Sequence, residues 1–282
     1  MTRVAIVTGA AQGIGEAIAY SRFQFTRNLR NISLIRAKLF KELSSNGADV
    51  ALADLPNKKD ALEQIVKAIE GNGRKAIALT CDVSKEEEVK DMVKKTIDTF
   101  GGLDIMVANA GIASQSAILE QSDELFDRVI DVNLKGALYC YRAAAIQMIK
   151  QGRGGRIIGA SSIMGIQGAP TCTVYSVSKF GIRALTQTAT LEWGQYNITV
   201  NAYAPGYIDT PLTAAAGGGS HGDNFLPMLR NCGLKRLGQP EEIAEVVGFL
   251  ASEGASYVTG GFTFAEIASW SHRLMNHVKD KL

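Results

Sequence analysis

Six short apolar runs punctuate the chain, at residues 4–8, 49–53, 76–80, 103–108, 156–161 and 198–204. Each is nearly continuous rather than alternating, the pattern of a strand buried on both faces. Between them, residues 60–70, 85–100, 122–150, 175–196 and 241–252 carry apolar side chains at three-to-four spacing with charged residues on the opposite face. That spacing predicts amphipathic crossover helices. Strand and helix alternate, so the pattern predicts an α/β fold: a doubly wound parallel sheet, or Rossmann fold, with helices on both faces. No linker or shift of composition divides the chain, and a single domain is expected over 1–282.

Composition narrows the function classes. Of 282 residues 46% are hydrophobic, enough for a large core and too many for disorder. Lys plus Arg number 30 against 28 Asp plus Glu, a net charge of +2, so charge gives no reason to expect nucleic acid or a membrane as partner. No apolar run reaches the roughly 18 residues of a membrane span and no signal peptide is evident, which predicts a cytoplasmic protein. Cys81, Cys140, Cys172 and Cys232 form no CxxC pair, and His221, His272 and His277 form no HExxH pattern, so no metal site is expected. The 29 glycines beside only six prolines suit tight strand-to-helix turns.

The first such turn carries chemistry. Strand 4–8 runs into Thr8-Gly9-Ala10-Ala11-Gln12-Gly13-Ile14-Gly15 and then a helix. Gly9, Gly13 and Gly15 allow close backbone approach, and unpaired N–H groups at a helix start attract phosphate, so Gly9, Gln12, Gly13, Ile14 and Gly15 are candidate dinucleotide contacts. Asp54, closing the second strand, is placed to accept hydrogen bonds from the adenosine ribose and to repel a 2′-phosphate, which predicts NAD over NADP. It lies 39 residues past Gly15, where about 20 are usual. Removing residues 20–40, a stretch with five basic residues and no acid, restores the interval and rejoins one ordinary helix. The stretch reads either as a surface insertion or as translated intron sequence.

Tyr175 and Lys179 stand four residues apart at the start of the helix after the fifth strand, hence on one face. A phenol is a poor base at neutral pH, and a neighbouring ammonium favours its phenolate, so Lys179 is expected to bring Tyr175 nearer the operating range. Ser162 ends the preceding strand. A carbonyl oxygen between Ser162 and Tyr175 would meet two hydroxyls, and strand alternation turns the neighbouring Ser161 the other way.

Taken in order, Thr8 to Gly15, Asp82-Val83, Asn109-Ala110-Gly111, Asn133, Ser162, Tyr175-x3-Lys179 and Pro205-Gly206 make the chain resemble the short-chain dehydrogenase/reductase superfamily, over residues 1–19 and 41 to about 260. The resemblance implies a nicotinamide-dependent oxidoreductase whose catalytic tetrad is Asn133, Ser162, Tyr175 and Lys179. It places Tyr175 as acid/base, Ser162 as orienter of the substrate oxygen, Lys179 on the nicotinamide ribose and Asn133 on a proton-relaying water. Asp82 and Val83 would meet the adenine, Asn109 the ribose, and Ile208 and Thr210 the carboxamide.

Within the superfamily, the segments around Asn109, Ser162 and Tyr203 look like those of acetoin/diacetyl reductases, or 2,3-butanediol dehydrogenases. A small alcohol or ketone is therefore the expected partner, with 3-oxoacyl or sugar-alcohol reduction, or a catalytically impaired cofactor-binding protein, as alternatives. Gln167, Thr171 and Cys172 are candidate pocket residues, and 211–232 a substrate lid. The ending, 261–282, departs from the family pattern, so the last strand is expected to form poorly. A homo-tetramer or dimer is expected if it forms.

Overall fold

The computed structural model describes residues 2–21, 47–71, 73–217 and 233–265. Residues 22–40 of the expected insertion, 218–232 of the expected lid and 266–282 of the altered ending lie outside the described residues, as do Cys232 and the three histidines.

Strands β1 (Val4–Thr8), β2 (Asp49–Asp54), β3 (Ala76–Thr80), β4 (Ile105–Ala108), β5 (Gly155–Ala160), β6 (Ile198–Pro205) and β7 (Phe262–Ala265) form one sheet. Its order is β3-β2-β1-β4-β5-β6-β7 and every pairing is parallel. The chain leaves β1 toward β2 on one side and returns on the other side at β4. That reversal opens a crevice at the carboxyl ends of the strands, where doubly wound sheets bind ligands.

Helices cover both faces because every strand but the outermost is apolar on both. On one face α1 (Gly13–Ser21), α2 (Lys59–Glu70) and α8 (Pro240–Leu250) bury Ile18, Leu62, Ile69, Ile243 and Val247 against Val7, Val50 and Val107. On the other, α3 (Glu86–Phe100), α5 (Gly136–Gln151) and α6 (Thr173–Trp193) bury Val89, Met92, Tyr141, Met148 and Ile182 against Ile6, Met106 and Ile157. Two shorter helices, α4 (Asp123–Ile130) and α7 (Pro211–Gly217), complete the described set.

Three differences from the sequence reading bear on the site. The helix predicted at 122–150 is continuous from Asp123 to Gln151 but widens at a π-turn, Asp131–Lys135, which holds Asn133. One extra residue per turn leaves the apolar periodicity readable, so the widening has no signal of its own. The final strand, expected to form poorly, is present: Phe262 to Ala265 pair in register with Ala202 to Pro205 of β6. Its entry is held by main-chain donors, with Gly260 N donating to Val200 O at 2.8 Å and Gly261 N to Asn201 Oδ1 at 3.0 Å. The first seven residues of the expected lid are the helix α7.

Candidate active site

The glycine turn is built from both sides. Gly9 and Gly13 have φ of +64° and +58°, a region closed to most side chains. At Gly15 the constraint is space, because a Cβ there would overlap the Gly9 carbonyl oxygen. Asp54 Oδ2 accepts from Ala11 N at 3.0 Å and its Oδ1 from Leu55 N at 2.8 Å, tying the end of β2 to the turn. Gln12 accepts from Lys58 Nζ at 3.1 Å, and Ile14 packs against the core. Gly13, Ile14 and Gly15 occupy the first turn of α1, where N–H groups have no intrahelical partner. A pyrophosphate fits this cradle on both counts, bare backbone and positive helix end.

The other side of the turn is Asn109. Its Nδ2 donates to Thr8 O at 2.8 Å and Gly9 O at 3.2 Å, and its Oδ1 accepts from the Tyr203 hydroxyl at 2.7 Å. The side chain expected at the ribose is thus occupied in bracing the turn. After β3, Asp82 Oδ1 accepts from the Ser84 N–H at 3.0 Å and its hydroxyl at 2.7 Å, and Val83 is buried against Gly136 at the start of α5. Ile208 is buried against Gly238, and the Thr210 methyl group lies 3.3 Å from where a Cβ on Gly13 would stand. Residues 208–210 therefore adjoin the glycine turn.

Along the same sheet edge stand Ser162, Tyr175 and Lys179. Ser162 follows β5 in extended backbone, where its hydroxyl accepts from Met164 N at 3.2 Å and stands near enough to the Tyr175 phenol to lower its pKa, while Ser161 turns away and donates to Lys179 O at 2.9 Å. Lys179 is 4% exposed, so its ammonium must find an acceptor; it donates to Ala160 O at 2.9 Å and lies 5.4 Å from the centre of the Tyr175 ring. Asn133 Oδ1 accepts from Ile112 N at 2.8 Å, and its Nδ2 donates to Ile112 O at 2.9 Å and Ser178 Oγ at 3.2 Å. A Cβ on Gly111 would lie 3.2 Å from Asn133 Oδ1 and 3.5 Å from Lys179 Nζ. The tetrad residues are thus brought together, and Asn109-Ala110-Gly111 runs from them to the glycine turn.

The electrostatics differ from the sequence expectation. Burial pushes the Tyr175 phenol up to about 12, against a smaller lowering by the Ser162 hydroxyl. Burial alone drives Lys179 down to about 8. Desolvation, not the lysine's field, dominates the phenol.

Of the other pocket candidates, Thr171 holds an unusual φ of +63° and its carbonyl accepts from Ser116 N at 2.8 Å, which joins the loop before α6 to the loop after β4. Cys172 is the register partner of Ser116 in that parallel bridge and donates its own N–H to Ala169 O at 3.2 Å, and Gln167 N donates to Ile163 O at 3.3 Å. Sequence reasoning missed Tyr203, whose one signal is a large polar-tipped ring in the otherwise small run Asn201-Ala202-Tyr203-Ala204.

A family model described as enoyl-(acyl carrier protein) reductase matches residues 32–265. The chain is 44% identical over 261 residues to a short-chain dehydrogenase/reductase from Armillaria gallica, covering 92% of each protein. The chain belongs to the short-chain dehydrogenase/reductase superfamily. It is also 36% identical to a 3-oxoacyl-[acyl-carrier-protein] reductase from Staphylococcus epidermidis, covering 92% of this chain and 96% of that one. To an L-2,3-butanediol dehydrogenase from Corynebacterium glutamicum the identity is 34%, covering 92% and 95%. A crystal structure of a short-chain dehydrogenase/reductase from Mycobacterium marinum superposes with a TM-score of 0.79 at 32% identity, covering 95% and 94%. This short-chain dehydrogenase/reductase is accordingly an oxidoreductase with a nicotinamide dinucleotide as cofactor and a small molecule as substrate. No described helix is long and apolar enough to cross a membrane.

Proposed function

We propose that this short-chain dehydrogenase/reductase interconverts a secondary alcohol and a ketone with NAD, and that its substrate is a small hydroxyketone or diketone such as acetoin or diacetyl. The observation that carries the reading is the buried Lys179 ammonium, tethered to Ala160 O at 2.9 Å and 5.4 Å from the centre of the Tyr175 ring, with Ser162 beside the same phenol. Gly9, Gly13, Gly15 and the first turn of α1 would hold the pyrophosphate, Asp54 the adenosine ribose, Asp82 and Val83 the adenine, Lys179 the nicotinamide ribose, and Ile208 and Thr210 the carboxamide. When bound, the nicotinamide supplies or receives the hydride.

The protein's own work is the proton. In reduction Ser162 orients the ketone oxygen and Tyr175, neutral at working pH, gives it the phenolic proton; in oxidation the phenolate takes the proton back. Lys179 lowers the cost of the phenolate by placing a cation near it, and its tether to Ala160 O fixes where that cation sits. Asn133, spent on Ile112 and Ser178, anchors the π-turn at which a water would pass the proton outward.

Asp54 supports NAD over NADP, since its carboxylate is held beside the turn where a 2′-phosphate would add like charge. The likeness to a butanediol dehydrogenase supports the small hydroxyketone, and the likeness to a 3-oxoacyl reductase supports 3-oxoacyl reduction as a second reading. A dimer or tetramer using the β7 edge of the sheet is part of the proposal. Purified protein offered acetoin, diacetyl, sugars and 3-oxoacyl thioesters with NADH, then with NADPH, tests it. Fastest NADH-linked turnover on the diketone is the expected outcome. Preference for the thioester moves the substrate to the second reading, and binding of NADH with no turnover on any of them overturns both.

A further inference from the structure

A buried phenol stands behind the glycine turn, outside the catalytic set. Tyr203 is 1% exposed, and its hydroxyl donates to Asn109 Oδ1 at 2.7 Å from the far side of β5. Its register partner on β5 is Ala160, whose small side chain lets the ring lie over that strand and reach the end of β4. Burying a phenol is favourable only if the hydroxyl finds a partner, and here that partner is an amide with work of its own.

The two ends of an asparagine amide are nearly alike in shape and opposite in polarity, so their neighbours decide which way it faces. Asn109 Nδ2 faces the carbonyls of Thr8 and Gly9, at 2.8 and 3.2 Å, and needs that orientation to donate to both. The reversed amide would aim an oxygen at two oxygens. A donor at Oδ1 selects the working orientation, and Tyr203 is that donor. The Gly9 carbonyl is in turn pressed against Gly15, which leaves it no slack on the α1 side.

We infer that Tyr203 is a positioning residue for the dinucleotide: its hydroxyl orients the Asn109 amide, and the amide holds the glycine turn in the shape that receives the pyrophosphate. The inference rests on the dinucleotide reading of that turn and assigns a role to a side chain that touches neither cofactor nor substrate.

The test is NADH binding, followed by fluorescence titration of the intact protein, for wild type, Tyr203→Phe, Asn109→Asp and the double variant. Asn109→Asp keeps an acceptor for Tyr203 but withdraws both donors from the turn, so it reports on the turn even where Tyr203→Phe folds poorly. Tyr203→Phe is expected to weaken NADH about tenfold, the size of one hydrogen bond. Asn109→Asp should weaken it at least as much, and the double variant should bind no more weakly than Asn109→Asp alone. In steady state the loss should fall on KM for NADH more than on kcat. A purely structural phenol would lower the melting temperature and leave NADH affinity within twofold of wild type, and that result overturns the inference, as does full additivity in the double variant. Wild type that fails to bind NADH overturns the dinucleotide reading and this inference with it; wild type that binds, with Tyr203→Phe unchanged, overturns the inference alone.

Discussion

The Lys179 ammonium, tethered to Ala160 O at 2.9 Å, lies 5.4 Å from the centre of the Tyr175 ring, and burial drives the two groups in opposite directions. The phenol holds its proton up to about pH 12, and the ammonium begins to lose its own near pH 8. The pair therefore keeps a proton on Tyr175 at neutral pH and, below about pH 8, a cation on Lys179 beside the phenolate that donation to a ketone oxygen leaves.

That opposition has a signature in stability. Lys179 is lowered to about 8 in the folded chain from an ordinary value of 10.5, so between those values the unfolded chain binds more protons and stability rises with pH. The rise amounts to about 3 kcal/mol, an order of magnitude taken from the shift. Tyr175 acts in the opposite sense and higher up: its value rises from 10.0 to about 12, so the unfolded chain loses its proton first and stability falls across that window. Denaturant unfolding from pH 7 to 10 should show wild type gaining stability relative to Lys179→Met, whose own curve lacks the rise. Parallel curves for the two proteins would contradict the buried charge.

Ser162 has a separable effect. Its hydroxyl lowers the Tyr175 value, so Ser162→Ala should shift the alkaline limb of the rate profile upward and reduce turnover about 10²-fold. The pH profile of kcat for the two proteins measures both. A slower variant with an unmoved limb would leave Ser162 as a substrate contact without influence on the phenol.

Two glycines make a matched pair for the cradle. Gly15→Ala places a methyl group on the Gly9 carbonyl and should cost about 2 kcal/mol of stability together with most NADH affinity. Gly194, after α6, has φ −56° and ψ −34° and no described atom within 4 Å of an added Cβ, so Gly194→Ala should stabilise by about 0.5–1 kcal/mol and leave NADH affinity alone. Thermal melts with and without NADH read both variants.

What could be read from the sequence was what depends on side-chain pattern. Strands β1 and β3 begin and end where the apolar runs do, and the residues of the glycine turn and the tyrosine–lysine spacing are visible as letters. What could not be read depends on the backbone or on long-range pairing. Lys179 finds its acceptor in a main-chain carbonyl, which has no letter of its own. The resemblance places Asn109 near the ribose but gives no sign that its side-chain polar atoms engage Thr8, Gly9 and Tyr203, the last of them 94 residues away. The lysine's field on Tyr175 was overestimated for a similar reason, since burial is set by the whole fold and not by a four-residue spacing.

The most direct measurement is single-turnover reduction of diacetyl by enzyme preloaded with NADH, comparing wild type with Tyr175→Phe. Proton donation by the phenol predicts that the variant binds NADH as wild type does and reduces the diketone at least about 10³-fold more slowly. A variant that retains a substantial fraction of the wild-type rate would contradict the assignment of the proton to Tyr175.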